Sequence, residues 1–188
     1  MRVGLVSALR IFFVLTLLTG VVYPLVITGI AEILFSWRAN GSLVELDGRV
    51  VGSELLAQKF SDPRYFWPRP SAGDYATVAS GASNLSWSSA QLKKAVEERR
   101  VHLKTTDANQ PIPSELLFAS GSGLDPHISP EATLYQIERV AAARYFDAEK
   151  RRKLLDLIAG QTERPQWGFF GQPRVNVLRL NIELDRLS

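Results

Sequence analysis

Cysteine is absent from this 188-residue chain, which holds two histidines and one methionine. Without thiols the protein has no disulfide, thiolate zinc site, iron–sulfur cluster or cysteine nucleophile. His102 and His127 alone leave little for imidazole metal chemistry, which needs three or four ligands. An excess of one charge is missing too. The 22 basic and 19 acidic side chains leave a net charge of +3, too small and too evenly spread to predict a nucleic-acid partner. Of the residues, 46% are hydrophobic, 10% aromatic and 22% charged, which excludes a collagen or a disordered tail. The chain also lacks a Gly-x-Ser-x-Gly elbow, a Gly-Lys-Ser/Thr loop and a Gly-x-Gly-x-x-Gly fingerprint.

What is present is unevenly distributed. No residue between Arg10 and Glu32 is charged, and at about 1.5 Å per residue this stretch covers roughly 31 Å, the thickness of a bilayer core. It predicts a membrane anchor over residues 1–36, with a transmembrane helix over about 11–35. Gly29-Ile30-Ala31 imitates a signal-peptide cleavage site, but the apolar stretch is longer than the roughly 7–15 residues of a signal h-region, so the chain is expected to stay anchored. Arg2 and Arg10 before the span, against Arg38 and Arg49 after it, favour a cytoplasmic N-terminus. Residues 37–188 then form one extracytoplasmic domain. Within the span Thr16, Gly20, Pro24 and Thr28 recur every four residues, a row of small residues that lets a partner helix approach, with Glu32 continuing it at the headgroups.

The domain reads as mixed α+β. Turn residues punctuate Val50 to Tyr75, which should hold short strands and one helical turn at Leu55 to Phe60. Gln91 to Leu103 is patterned as an amphipathic helix through Leu92, Val96 and Val101 or Leu103, with Lys93, Lys94, Glu97, Glu98 and Arg99 on its wet side. Ser129 is placed to cap a helix running through Leu134, Ile137, Ala141 and Tyr145, with Pro130 at its first position. Asp147 should cap the next, which buries Leu154, Leu155 and Ile158 and stops at a left-handed Gly160, giving a helical hairpin. Arg174 to Leu184 alternates like a strand with a phase change near Val177, where a bulge is expected.

Four clusters carry candidate chemistry. Ser120-Gly121-Ser122-Gly123 followed by Leu124-Asp125-Pro126-His127 brings hydroxyls, a carboxylate and an imidazole close together, which leaves a membrane-anchored enzyme or ligand-binding domain open as the alternative function. Such a turn also presents amides to a phosphate, whereas Asp125 or Asp74 as a weak ion site lacks further ligands. Ser80-Gly81-Ala82-Ser83-Asn84 is a second small turn, suited to capping the next helix. Arg64-Tyr65-Phe66-Trp67-Pro68-Arg69-Pro70 combines three aromatics with two guanidiniums, as suits either a core strand or an interface. Gly168-Phe169-Phe170-Gly171 is expected as an aromatic turn buried against the domain.

These blocks occur together in a known order. The N-terminal span, Gly52-Ser53-x-Leu55-x-x-Gln58-x-Phe60, Tyr65-Phe66-x-x-Arg69-Pro70-Ser71-Ala72, and Ser80-Gly81-x-Ser83-Asn84-Leu85 closely resemble the KdpC family, the C subunits of bacterial Kdp potassium-transporting ATPases. So do Ala119 to Pro130, Gln136 with Arg139-Val140-Ala141, and Gly171 to Leu178. The chain departs from that pattern at Ala76, at Ala82 and over Leu85 to Ser89. The resemblance implies a complex in the bacterial cytoplasmic membrane with a potassium-selective channel-like subunit, a P-type ATPase subunit and a very small membrane subunit. It implies a non-catalytic role for this chain, which has no Asp-Lys-Thr-Gly sequence, in assembly and stability. It also implies a proposed role as a catalytic chaperone that raises ATP affinity, with Gln136 and Ser120 to Gly123 as nucleotide-binding residues. ATP would otherwise reach the complex through the pump subunit. A domain outside the cytosol could not meet ATP directly, and Tyr65, Phe66, Trp67, Arg69, Ser80 and Asn84 are then the expected docking surface for a partner subunit.

Overall fold

The computed structural model describes residues 2–78, 80–103 and 111–187. Contacts divide the chain into two compact units, residues 1–43 and 44–188. The first is a helix long and apolar enough to cross a membrane over Gly4–Ala39. It runs as α1 (Arg2–Leu17), a π-helical segment (Leu18–Val22) and α2 (Tyr23–Ala39). Proline explains the wide turn. Pro24 lacks an N–H and its ring would press on the Gly20 carbonyl, so the chain inserts a π turn in which Tyr23 N–H reaches back to Leu18 O. Thr16, Gly20, Pro24 and Thr28 are all exposed in this unit, and nothing lies within 4 Å of a Cβ built on Gly20. Near the helix end, Asn40 Nδ2 donates to Glu32 Oε2 at 3.0 Å and to Ser36 O at 2.8 Å.

The second unit is α+β. β1 (Leu43–Leu46) and β2 (Arg49–Ser53) form a hairpin. Its turn is Asp47-Gly48, with φ of 51° and 75°, the left-handed pair that matches strand twist. α3 is Ala90–Leu103 and α4 is Ser114–Leu117. β3 (His127–Ile128) precedes α5 (Pro130–Tyr135), α6 (Ile137–Ala143) and α7 (Ala148–Gln161). β4 (Thr162–Glu163), β5 (Arg174–Asn176) and α8 (Val177–Arg186) complete the chain. β5 lies between β3 and β4 in an antiparallel sheet, pairing Val175 with both Ile128 and Thr162. Against this sheet pack α5, α7 and α8, burying Ile128, Val140, Leu154, Val175, Leu180 and Leu184.

Several expectations change here. The C-terminal segment is not one bulged strand: at Asn176 it switches to a helix, the Asn176 side chain accepting Arg179 N–H at 3.1 Å. Val177, Leu178, Leu180, Asn181 and Leu184 then share a buried face at helical spacing. The helix begun by the Ser129 cap is broken at Gln136, leaving Leu134 at 48% and Tyr145 at 94% exposure. The Asp147 cap forms, but Leu155 faces solvent and Gly160 is helical, the stop falling at an extended Thr162. α7 packs chiefly on α8 and β5, rather than in a hairpin with the helix before it. No helical turn forms at Leu55 to Phe60, where Ala57 N–H instead bonds Leu124 O. Leu103 rather than Val101 turns inward on α3, and Arg99 is half-buried, donating to Leu117 O at 2.7 Å.

The largest correction concerns Gly168 to Gly171. Gln166 and Phe170 bridge back to back, Trp167 and Gly168 take φ of 53° and 85°, and the turn projects outward. Trp167, Phe169 and Phe170 are 85%, 69% and 54% exposed. The apolar core is already filled by β5 and its helices, so the turn stays outside.

Leu180 is fully buried and Leu155 is not. Leu180→Ala is expected to cost about 2–5 kcal/mol, whereas Leu155→Ala costs well under half of that. Urea unfolding of the full chain in detergent, followed by near-ultraviolet dichroism, measures both.

Candidate functional site

Between β2 and α3 the described residues hold neither helix nor strand, yet this segment passes through the core at Phe66, which is fully buried. Each buried backbone group there needs a partner. Side chains supply them. Phe66 N–H donates to Asn181 Oδ1 at 2.8 Å, and Asn181 Nδ2 returns a bond to Phe66 O at 2.9 Å. Trp67 N–H donates to Gln136 Oε1 at 2.8 Å, and Gln136 Nε2 donates to Trp67 O at 3.1 Å. Two amides thus take the place of a neighbouring strand. Reversing either amide would set donor against donor, so the pairing fixes their orientation.

The run continues on both sides. Arg139 Nη1 donates to Pro63 O and Tyr65 O at 2.7 and 2.9 Å, and Arg144 Nε donates to Arg64 O at 2.8 Å. Carbonyls of residues 63–67 are therefore all satisfied by side chains of the α5–α6 region and α8. Beyond them Arg69 O accepts from Tyr75 Oη at 3.0 Å and Pro70 O from Ser120 N–H at 3.0 Å. Burial pushes Arg139 down to about 10, which still leaves it charged at neutral pH. Its guanidinium carbon lies 3.6 Å from the Trp67 ring centroid, and His102 stacks on Trp67 at 4.7 Å. Arg144 meets Asp185 at 2.6 Å, and Tyr65 Oη donates to Asp185 at 2.9 Å. Burial raises Tyr65, helped by that carboxylate.

Beside Trp67 a cavity of about 340 Å³ is lined by Phe60, Trp67, Tyr75, Arg99, His102 and Leu116, among others. Tyr75 is pushed up to about 12 by burial, with Asp74 adding to the effect, and burial lowers Arg99.

The two Gly/Ser turns meet beside the end of this strap, residues 63–70. Gly123 has φ of +70°, and a Cβ there would lie 2.9 Å from Gly81 O and 3.3 Å from Ser71 Oγ, so only glycine allows the approach. Ser120 is buried, whereas Ser80 and Asn84 are exposed, Asn84 at φ 52°. The second turn does not cap α3, whose first turn is held by Ser89 Oγ. Asp125 accepts His127 N–H at 3.1 Å and pairs with Arg69 at 3.1 Å, and Asp74 pairs with Lys59. Among the described residues no three His, Asp or Glu side chains form a metal-sized cluster.

Of the expected site residues, then, Trp67 and Arg69 lie on the strap, Gln136 and Ser120 bond it and Gly123 packs beside Ser71, whereas Gly121 and Ser122 are exposed; Tyr65 and Trp67 are partly buried, and Phe66 is core. Gln136 is 1% exposed with its amide engaged. Asn181, Arg144 and Asn176 were missed by sequence reasoning. A polar residue at the helical position between Val177, Leu178 and Leu184 was the available signal for Asn181.

The chain thus joins a helix long and apolar enough to cross a membrane to an α+β domain whose polar clusters serve its own backbone. The family described as KdpC, K+-transporting ATPase, c chain matches residues 5–186, and the chain belongs to it. The KdpC subunit of the potassium-transporting ATPase of Dechloromonas aromatica is 49% identical over 193 residues, covering all of both chains. That of Leptospira interrogans is 49% identical over 179 residues, 95% of this chain and 91% of its own. That of Polaromonas naphthalenivorans is 50% identical over 186 residues, covering 96% and 93%.

Asn181→Leu leaves Phe66 N–H and C=O buried without partners, at about 1–3 kcal/mol each, and a matching fall in unfolding midpoint is expected. His127 is held below its ordinary 6.5 first by burial and then by Arg174. The unfolded chain therefore takes up this proton before the folded one does, and stability falls as pH drops below 6.5. Thermal unfolding between pH 7.5 and 5 should show a component of that loss that His127→Asn removes.

Proposed function

We propose that this chain is a non-catalytic subunit of an ATP-driven potassium uptake complex, which it helps to assemble and stabilise. The match over residues 5–186 to the c chain of a K+-transporting ATPase carries this reading. Its partners are a potassium-selective channel-like subunit, a P-type ATPase subunit and a very small membrane subunit. Residues 1–36 anchor it in the bacterial cytoplasmic membrane with the N-terminus in the cytosol, and residues 37–188 form the extracytoplasmic domain. Thr16, Gly20, Pro24 and Thr28 are the face offered to a partner helix.

Docking beside the external mouth of the channel-like subunit uses the exposed Ser80 and Asn84 turn together with Tyr65, Trp67 and Arg69 of the strap. Any gain in ATP affinity of the pump subunit is transmitted through the complex, as a catalytic chaperone acting at a distance. Support for this comes from Gln136, whose amide is committed to Trp67 and Ala132, and from Ser120, whose N–H is spent on Pro70. Neither group has spare capacity for a nucleotide without opening the strap.

Because native thiols are absent, single cysteines at Ser7 and Ser83 test the arrangement with an impermeant maleimide on intact cells. Ser83→Cys should label when the chain is expressed alone and be protected once the whole complex assembles, while Ser7→Cys labels only after permeabilisation. Labelling of Ser7→Cys in intact cells would overturn the topology, and unprotected Ser83→Cys in the assembled complex would overturn the docking surface.

A further inference from the structure

The aromatic turn at Gln166 to Phe170 serves neither the core nor the strap. Trp167 is 85% exposed, Phe169 69% and Phe170 54%, and their rings cluster, Phe169 with Phe170 at 4.4 Å and Trp167 with Phe170 at 5.8 Å. The turn itself is built firmly. Gln166 N–H bonds Phe170 O at 2.8 Å, Phe170 N–H bonds Gln166 O at 2.9 Å, and Gly168 N–H bonds Pro165 O at 3.0 Å. Left-handed Trp167, Gly168 and Gly171 bend the chain sharply enough to hold the rings outward. Exposed Arg164 precedes the turn and Arg174, shared with Glu163 at 2.9 Å, follows it.

We propose that this turn is a lipid-interface anchor, its three rings entering the headgroup and upper acyl region of the bilayer while Arg164 and Arg174 meet lipid phosphates. Three observations favour lipid over a protein partner. An indole with two phenyl rings at a projecting apex, based on guanidiniums, is the chemistry that partitions to a membrane interface. Three partly covered rings also offer only several hundred Å², short of the roughly 800 Å² per partner that a standard protein interface buries. Finally, the same chain carries a helix long and apolar enough to span a membrane, so a bilayer is present at high effective concentration however the domain is oriented. The anchor operates on either face of the membrane and is independent of the docking surface proposed above.

The test uses the full chain in vesicles of phosphatidylethanolamine and phosphatidylglycerol, with a spin label on Phe169→Cys and, separately, on Trp167→Cys. Both positions are exposed, so the fold tolerates the label. Ser83→Cys is the control. The proposal expects the labels at positions 167 and 169 to lose most of their relaxation by a water-soluble nickel chelate while oxygen still relaxes them, and the control to remain open to nickel. Replacing phosphatidylglycerol by phosphatidylcholine, or Arg164 and Arg174 by Gln, should restore part of the nickel effect. Nickel access at both turn positions equal to the control would overturn it. So would shielding that arises only when the other pump subunits are reconstituted, which would assign the turn to a protein contact.

Discussion

Five successive backbone carbonyls run without a neighbouring strand from exposed Pro63 and Arg64 into the apolar core at Phe66, and side chains of the surrounding helices satisfy them. An unpaired buried carbonyl or amide costs about 1–3 kcal/mol, so such a segment is stable only if donors are delivered to it. Arg139, Arg144, Gln136 and Asn181 deliver them. The break between α5 and α6 has its reason here, since Gln136 leaves the helical row and is almost fully buried facing Trp67. Once the strap is held, its far end fixes Tyr75 and Ser120, and through them the meeting of the two Gly/Ser turns.

This arrangement bears on how the conspicuous residues work. Gln136 and the Ser120 turn look like ligand-binding elements when met in isolation, because amides and small turns also bind phosphates. In the fold the Gln136 amide and the Ser120 and Gly123 N–H groups are spent internally, while Gly121 and Ser122 stay exposed. What remains outward is Ser80, Asn84 and the edge of the strap on one hand and the aromatic turn on the other. Of these, the aromatic turn stands apart from the cavity beside Trp67, which the strap and α3 line.

How much could be read in advance follows the range of the interactions. The Ser129 and Asp147 caps and the apolar span are legible because each depends on residues a few positions apart. α8 is not legible as a helix because its inward row includes Asn181, whose polarity disguises a helical period as alternation. The exposure of the aromatic turn is not legible because aromatic content alone does not say whether the core still has room.

Local chemistry in the sequence therefore settled the membrane-length helix, the Ser129 and Asp147 caps, the α+β character and, through ordered blocks, the family. Tertiary structure decided which amide serves which carbonyl and which rings stay in water. Asn181 and Phe66 are 115 positions apart, and Gln136 and Trp67 are 69. Hydrogen bonds across such separations exist only after the core has closed, since nothing in the local pattern distinguishes a buried amide with a partner from one left on the surface.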